Sequence, residues 1–451
     1  MQAAIILAAG QGKRMNSAIP KVLHKICGKE MVLHALDAVS FCDKRIVVVG
    51  HGADEVCQAL DGLCDFALQE QQLGTGHAVM QAMPQVKGCD TVLVLAGDMP
   101  LLQQQTLKEL CSLLDDDCPA ALLTTAVDSG SEFGRILRNA GGDITRIVEY
   151  GDATAEQRAI TEANTSVYAF KTPALISALD KLTATNAQKE YYLTDCIELL
   201  AEFGAVRSIS RPFSECMGCN DRMQLAECAA LMQSRINRQH MSNGVTLIDP
   251  AATYIDCDVE IGRDTVIYPG NLLTGNTSIG QNVTLYPNNR IVDSNVGDGA
   301  HIEASLLEES SVGKNTNIGP NAHLRKGTTT GAGCRIGNFV ETKNVTIDDG
   351  AKLPHLSYCG DGFIGKRANI SCGAIFSNYD GVKKHRTQVG DDAFVGCNSN
   401  LVAPVNVGAG AYIAAGSTIT EDVPADALGI ARERQIVKDG WAGRRREVYH
   451  K

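Results

Sequence analysis

Three groups of residues have the types that chemistry on a phosphorylated or acylated substrate needs. The stretch "LAAGQGKRM", residues 7–15, follows the apolar run 3–6, and Pro20-Lys21 comes shortly after it. Backbone N–H groups in such a Gly-rich turn hold phosphate oxygens, while Arg14 and Lys21 neutralise their charge. The spacing is neither the G-x-x-x-x-G-K-[ST] of a phosphate loop nor the G-x-G-x-x-G of a dinucleotide fold. A plain tight turn beside solvated cations has the same composition. A second apolar run, "LVLAGDMP", ends in Gly97-Asp98 and puts one carboxylate at a strand's C-terminal edge. There it either joins substrate phosphates in holding Mg²⁺ or caps the next segment. The third group centres on His355, where "FVETK", "LPHLSYCGD", "RANISCG" and "FSNYDG" bring a His, two Tyr, a Lys and several Asn into a region otherwise aliphatic and small. Acyl transfer to an amine needs a base to take its proton, and His is the usual one. A structural His satisfied by its neighbours is the alternative.

The elements that position these groups follow two different periods. Runs at 3–7, 45–49, 91–95, 120–124 and 166–170 predict strands, several apolar throughout as buried parallel strands are, and amphipathic stretches at 31–39 and 105–114 predict helices between them. This is a doubly wound α/β pattern, whose ligands sit at the C-terminal ends of the strands. Leu225, Cys228, Met232 and Ile236 then stand at helical spacing, ending near the turn signal Ser242-Asn243-Gly244. Beyond it Ile255, Ile261, Ile267, Leu273, Ile279, Leu285 and Ile291 recur every six residues, as do Val389, Val395, Leu401, Val407, Ile413 and Ile419. A period of six predicts a parallel β-helix, each coil burying its aliphatic residue against the next. The register breaks between about 340 and 360 and again at 377–388, where "SNYDGVKKHRTQ" enters the coil. Insertions in solenoids project as loops and often carry function.

Composition bounds the class. A chain of 451 residues exceeds the size of one core, so two or more domains are expected. The net charge of −11 argues against nucleic-acid or anionic-membrane partners, so any anionic substrate must be met by a few local cations. No apolar run approaches the roughly 20 residues of a membrane span and no export signal opens the chain, which predicts a cytoplasmic protein. Its sixteen cysteines are then expected as reduced thiols, most of them buried. Cys216-x-x-Cys219 lacks two further ligands at zinc spacing.

Taken in order, "LAAGQGKRM…PKVLHKICGKEMVLH", "QEQQLGTGHAV", "LAGDMPLL", "FGRILR", "IVEY", "EAN" and "GCNDR" resemble the nucleotidyltransferase domain of the bacterial bifunctional N-acetylglucosamine-1-phosphate uridyltransferase / glucosamine-1-phosphate acetyltransferase family, and the second half resembles that family's hexapeptide domain. The resemblance implies a Rossmann-like uridyltransferase domain over 1–221, a linker helix over 222–242 and a left-handed parallel β-helix acetyltransferase domain over 243–451. By it, Leu7, Ala8 and Gly10 contact UTP, Gln69, Gly74 and Thr75 recognise uracil, and Arg14 and Lys21 stabilise the pentavalent phosphorus. Asp98 and Asn220 hold Mg²⁺, and Gly134, Glu149, Asn164 and Asn220 bind the N-acetylglucosamine moiety. His355 is the general base on the glucosamine-1-phosphate amine, with Arg325, Lys343, Tyr358 and Asn369 on the sugar phosphate. Acetyl-CoA is met by Cys372, Asn378, Tyr379, Cys397, Ala415 and Arg432. The chain departs from the family pattern at Lys13, commonly Thr, at Ser371-Cys372, typically Gly-Ala, and at Cys397, typically Ser. The family also implies a homotrimer, with the basic tail "GRRREVYH" solvated or reaching a neighbour, and a product, UDP-N-acetylglucosamine, that feeds peptidoglycan and lipopolysaccharide. A nucleotidyltransferase for another sugar-1-phosphate with a scaffold-only β-helix, and a non-catalytic subunit of the same fold, are the competing readings; Arg14, Lys21, Asp98 and His355, all present, count against the second.

Overall fold

The computed structural model describes residues 1–128, 130–186 and 188–449. The chain splits into two compact units, Met1–Arg235 and Ile236–Lys451, divided within the helix Arg222–Ser242.

In the first unit the sheet runs in the order Val206–Ser210, Ala120–Ala126, Glu162–Lys171, Thr91–Ala96, Gln2–Leu7, Lys44–Val49, Asp65–Leu68, with the hairpin Arg135–Arg138 and Ile144–Val148 off this path. Gln2–Leu7 is parallel to both its neighbours, Lys44–Val49 and Thr91–Ala96. Successive strands depart from it in opposite directions, so a crevice opens at its C-terminal end. Both sheet faces are covered, which is why the run is apolar without alternation. Ala3 and Ile5 pack with Val79 and Leu175, whereas Ala4 and Ile6 pack with Val32, Leu36 and Leu107. One strand differs from the parallel pattern expected: Glu162–Lys171 pairs antiparallel with both Thr91–Ala96 and Ala120–Ala126. A strand covered on both faces is apolar whichever way it runs, so the composition of 166–170 carries burial and not direction.

The second unit is a left-handed parallel β-helix. Strands of two to seven residues stack in register, coil on coil. The six-residue series forms its core: Ile255, Ile267, Leu273, Leu285 and Ile291, then Val389, Val395, Leu401 and Ile413, all share one buried cluster, and Ile261 packs against it partly buried. Corners require left-handed backbone, which Asn and Asp adopt at least cost; Asp264, Asn282, Asn315 and Asn398 have φ between 53° and 60°. Buried polar corners satisfy one another, as where Asn289 Nδ2 donates to Asn271 Oδ1 at 2.9 Å. The breaks in period correspond to two long strands, Glu341–Ile347 and Tyr358–Ile364, paired with each other, and to a loop over 378–386 closed by the bridge Tyr379↔Lys384. The basic tail falls in the exposed helix Trp441–Tyr449, and its His450 lies outside the described residues. Among the described residues no helix is long and apolar enough to cross a membrane. Ten of the sixteen cysteines are buried, as the composition suggested.

Because each coil is close-packed, Ile336→Ala at a fully buried site should cost about 2–5 kcal/mol in urea unfolding. Val382→Ala, in the projecting loop, should stay within about 0.5 kcal/mol; equal losses would contradict this account of the core.

Candidate active sites

The crevice of the first unit is lined by backbone before any side chain reaches it. Leu7 ends its strand with its carbonyl taken by Gly97 N at 2.9 Å, and Ala8 N donates to Val48 O at 2.9 Å, so the turn leaves the sheet tethered on both sides. Gly10 has open space where a Cβ would stand, whereas Gly12, at φ 57°, closes against Lys21 with only 2.6 Å between its missing Cβ and Lys21 Cβ. A side chain on Gly12 would displace Lys21. The Lys21 ammonium forms an ion pair with Asp98 and donates to Asn220 Oδ1 at 3.1 Å. Asp98 O also accepts from Cys219 N at 2.9 Å, which ties the Asn220 loop to the strand end. Three segments more than seventy residues apart thus meet at one cation. Arg14 is exposed, and its guanidinium has no hydrogen bond among the described residues.

Two further groups of expected residues also come together. Buried Gln69 donates to Gly74 O at 3.1 Å, and Thr75 Oγ1 accepts from Leu193 N at 3.1 Å. Gly74 has φ 104°, with Tyr191 O 2.6 Å from where its Cβ would be, so only glycine fits this turn. Gly134 O accepts from Asn164 N at 2.9 Å, and Glu149 Oε2 lies 3.4 Å from the position of a Gly134 Cβ. Asn164 is held by Tyr168, to whose hydroxyl oxygen its amide donates at 2.7 Å, and Glu149 Oε1 accepts from Thr194 Oγ1 at 3.1 Å. Glu149 borders an open cavity of about 580 Å³ shared with Asp152, Tyr192 and Asp195. Burial first, and then the Asp195 and Asp152 carboxylates, push the Glu149 carboxyl above its ordinary range, opposed by the Thr194 hydrogen bond.

In the second unit, the long strands replace packing residues with polar ones. Glu341 stands beside Tyr358 and Lys343 beside Gly360 in the parallel register. Arg325 Nη1 donates to Glu341 Oε1 at 2.7 Å. Lys343 is held below its ordinary pKa by close approach to Lys384 and, next, by Arg325. Cations crowd together only at a cost, which the Glu341 carboxylate on Arg325 and Asp361 near Lys343 offset in part. His355 ends the strand Lys352–His355 beside Asn338 of the preceding coil, exposed, its ring free of hydrogen bonds among the described residues. Asn369 Nδ2 donates to Ser371 Oγ at 3.3 Å. Asn378 is buried and donates to Asp361 at 2.5 Å, whereas Tyr379 is 60% exposed and gives its hydroxyl proton to Gly381 O, within its own loop. Cys372, Cys397 and Ala415 occupy successive coils, and Arg432 Cδ lies 3.7 Å from the position of a Gly416 Cβ.

Three residues of this cluster escape sequence reasoning. Asp361 accepts from both Asn344, at 2.6 Å, and Asn378, and so anchors the start of the projecting loop. Lys384 comes back onto Lys343 from the insertion, and Glu341 orients Arg325. Their signal was the break in the six-residue period, since a charged residue where the coil needs an aliphatic one has another reason to be there.

Comparison with known proteins bears on both units. Residues 4–189 match the MobA-like NTP transferase domain, residues 310–340 the hexapeptide repeat of succinyl-transferase, and residues 386–421 the bacterial transferase hexapeptide (six repeats). The chain is 49% identical over 447 residues to the bifunctional protein GlmU of Geobacillus sp. (strain WCH70), covering 98% of this chain and 97% of that one. It is likewise 49% identical over 447 residues to GlmU of Listeria welshimeri serovar 6b, covering 98% of each chain. The chain belongs to the GlmU family of bifunctional proteins. The GlmU match runs across both units and so includes both the Lys21 centre and the His355 cluster.

Glu149 sets a pH test. An acid with a raised folded-state pKa keeps its proton longer folded than unfolded, so its contribution to stability falls as pH climbs above about 4.5 and is fully unfavourable above the folded value. Glu149→Gln should therefore melt above the parent at pH 7, with the difference shrinking toward pH 4. A difference independent of pH would remove the buried charge from this account.

Proposed function

We propose that residues 1–221 carry uridylyl transfer, residues 243–451 carry acetyl transfer, and the helix over 222–242 joins them. As a GlmU-family member the chain is bifunctional: it is a uridylyltransferase acting on UTP and N-acetylglucosamine-1-phosphate, and an acetyltransferase acting on acetyl-CoA and glucosamine-1-phosphate. One observation carries the division of labour: each unit gathers its cations and polar side chains from its own residues, Lys21 with Asp98 and Asn220 in one, Arg325 with Lys343 and Lys384 in the other.

In the first reaction the sugar phosphate attacks the α-phosphorus of UTP and pyrophosphate leaves. Phosphoryl-type transfer asks the protein for in-line positioning and cations on the developing charge. Leu7, Ala8 and Gly10 present the turn backbone to UTP; Gln69, Gly74 and Thr75 hold the base; Arg14 and Lys21 meet the phosphates; Gly134, Glu149 and Asn164, with Asn220, seat the amino sugar. Asp98 and Asn220 aim a carboxylate and an amide oxygen at one ammonium, a donor pair of the kind Mg²⁺ takes beside substrate phosphates. Mg²⁺ held there would neutralise negative charge on the triphosphate.

In the second reaction His355 takes the amine proton as nitrogen attacks the thioester carbonyl, and coenzyme A leaves. Arg325, Lys343, Tyr358 and Asn369 hold the sugar phosphate. Cys372, Asn378, Tyr379, Cys397, Ala415 and Arg432 line the cofactor's approach. The unit works as a homotrimer, a reading supported by Phe339 and Leu356, 61% and 59% exposed at left-handed corners beside His355, apolar surface that a neighbouring copy would cover. UTP and acetyl-CoA are held inside cells, which supports a cytoplasmic location.

Two assays on the full chain test the division: pyrophosphate release from UTP plus N-acetylglucosamine-1-phosphate, and coenzyme A release from acetyl-CoA plus glucosamine-1-phosphate. Arg14→Ala should slow the first by about 10²-fold or more and spare the second. His355→Ala should do the reverse by about 10²–10⁴-fold. Removing divalent cation with EDTA should stop pyrophosphate release alone. A variant that slows both reactions equally would refute the division.

A further inference from the structure

His355, Cys372, Cys397 and Ala415 form one column on the β-helix. Lys352 pairs with Asn369, and four residues on Gly373 N still donates to Leu356 O at 2.8 Å, which sets His355 beside Cys372. Ile370 pairs with Val395 and Asn398 N donates to Cys372 O at 2.8 Å, which sets Cys372 beside Cys397. Val395 pairs with Ile413 and Gly416 N donates to Cys397 O at 2.8 Å, which sets Cys397 beside Ala415. Neighbouring strands lie about 4.8 Å apart, inside the roughly 4.4–6.8 Å between Cα atoms that a disulfide spans. Both thiols are free, Cys397 exposed and Cys372 half-buried, at the same corner position of consecutive coils. Cys334 and Cys359, in the same unit, are buried in the coil, and burial pushes both thiols up, away from the reactive thiolate form.

We propose that Cys372 and Cys397 are a reversible dithiol clasp, closed by exchange with a small-molecule disulfide, that switches off acetyl transfer. The Cys397 thiolate attacks one sulfur of the small disulfide, forming a mixed disulfide and releasing one small thiol. The Cys372 thiolate then displaces the second small thiol and leaves an S–S bond between the coils. The protein loses two thiol hydrogens and the small disulfide is reduced to two thiols, so the exchange balances without further reagent. The closed clasp pulls both sulfurs together in the column directly beside His355, where a thioester must approach. Its effect on acetyl transfer rests on the function proposed above; its formation does not.

The test uses the reduced full-length chain, incubated with oxidised glutathione, alkylated and digested with trypsin without reductant. Cys372 falls in the tryptic peptide 368–383 and Cys397 in 387–432, with no other cysteine in either. The two peptides should appear joined, two hydrogens lighter than their sum. Acetyl transfer in the same sample should fall at least tenfold and return with dithiothreitol, while pyrophosphate release holds. The Cys372→Ala/Cys397→Ser chain should keep its own acetyl-transfer rate through the treatment. Glutathione on each cysteine without a link would overturn the clasp. A link that leaves acetyl transfer unchanged would overturn the switch while leaving the proposed function intact. A reduced chain that transfers no acetyl group would instead sink the proposed function, with the joined peptides still deciding the clasp.

Discussion

Parallel, in-register pairing is the constraint on which both sites rest. A parallel strand ends on the same side as its neighbours, so segments distant in the chain arrive side by side at one edge. In the first unit this lets Gly97 N donate to Leu7 O and Ala8 N to Val48 O, which brings the Gly-rich turn and Asp98 to one edge. In the second unit it places like positions of successive coils in columns, so that residues 17, 25 and 18 apart in sequence, from His355 through Cys372 and Cys397 to Ala415, become spatial neighbours. A slip of one residue would turn the aliphatic series outward and scatter the column together. Fold stability and site geometry therefore depend on the same register.

Electrostatics adds the selectivity that register alone lacks. The chain carries a net charge of −11, which disfavours the approach of an anion at long range. Two of the cations at the candidate sites are tethered by polar neighbours. Lys21 sits on Asp98 and Asn220, and Arg325 on Glu341. These pairs hold the side chains near the position in which a phosphate would meet them, which lowers the cost of ordering them at the moment of binding.

Much of this was legible in the sequence, and the rest was hidden for physical reasons. The period of six could arise only from short stacked strands, so the β-helix and its core residues followed directly from spacing. The apolar runs of the first unit located buried strands but not their direction, because a strand between two packed layers has the same composition either way; Glu162–Lys171 is the case in point. Gly74 was named by the resemblance as a uracil contact, but its close approach to Tyr191, which admits only glycine, has no local signal. Asp361 and Lys384 depend on contacts across coils and through a loop, and no local pattern encodes those. The column of His355, Cys372 and Cys397 was also out of reach, since the long strands and the projecting loop change the spacing from one coil to the next.

The central claim is that one chain holds two complete sites set by two separate registers. Complementation tests it most directly: Lys21→Ala and His355→Ala chains, each unable to make UDP-N-acetylglucosamine from glucosamine-1-phosphate, acetyl-CoA and UTP, are mixed and product formation is followed. If the sites are independent, the mixture makes the nucleotide sugar after a lag in which free N-acetylglucosamine-1-phosphate builds up. If the mixture stays inactive while each variant retains its own half-reaction, the two sites are not separable and the account is wrong.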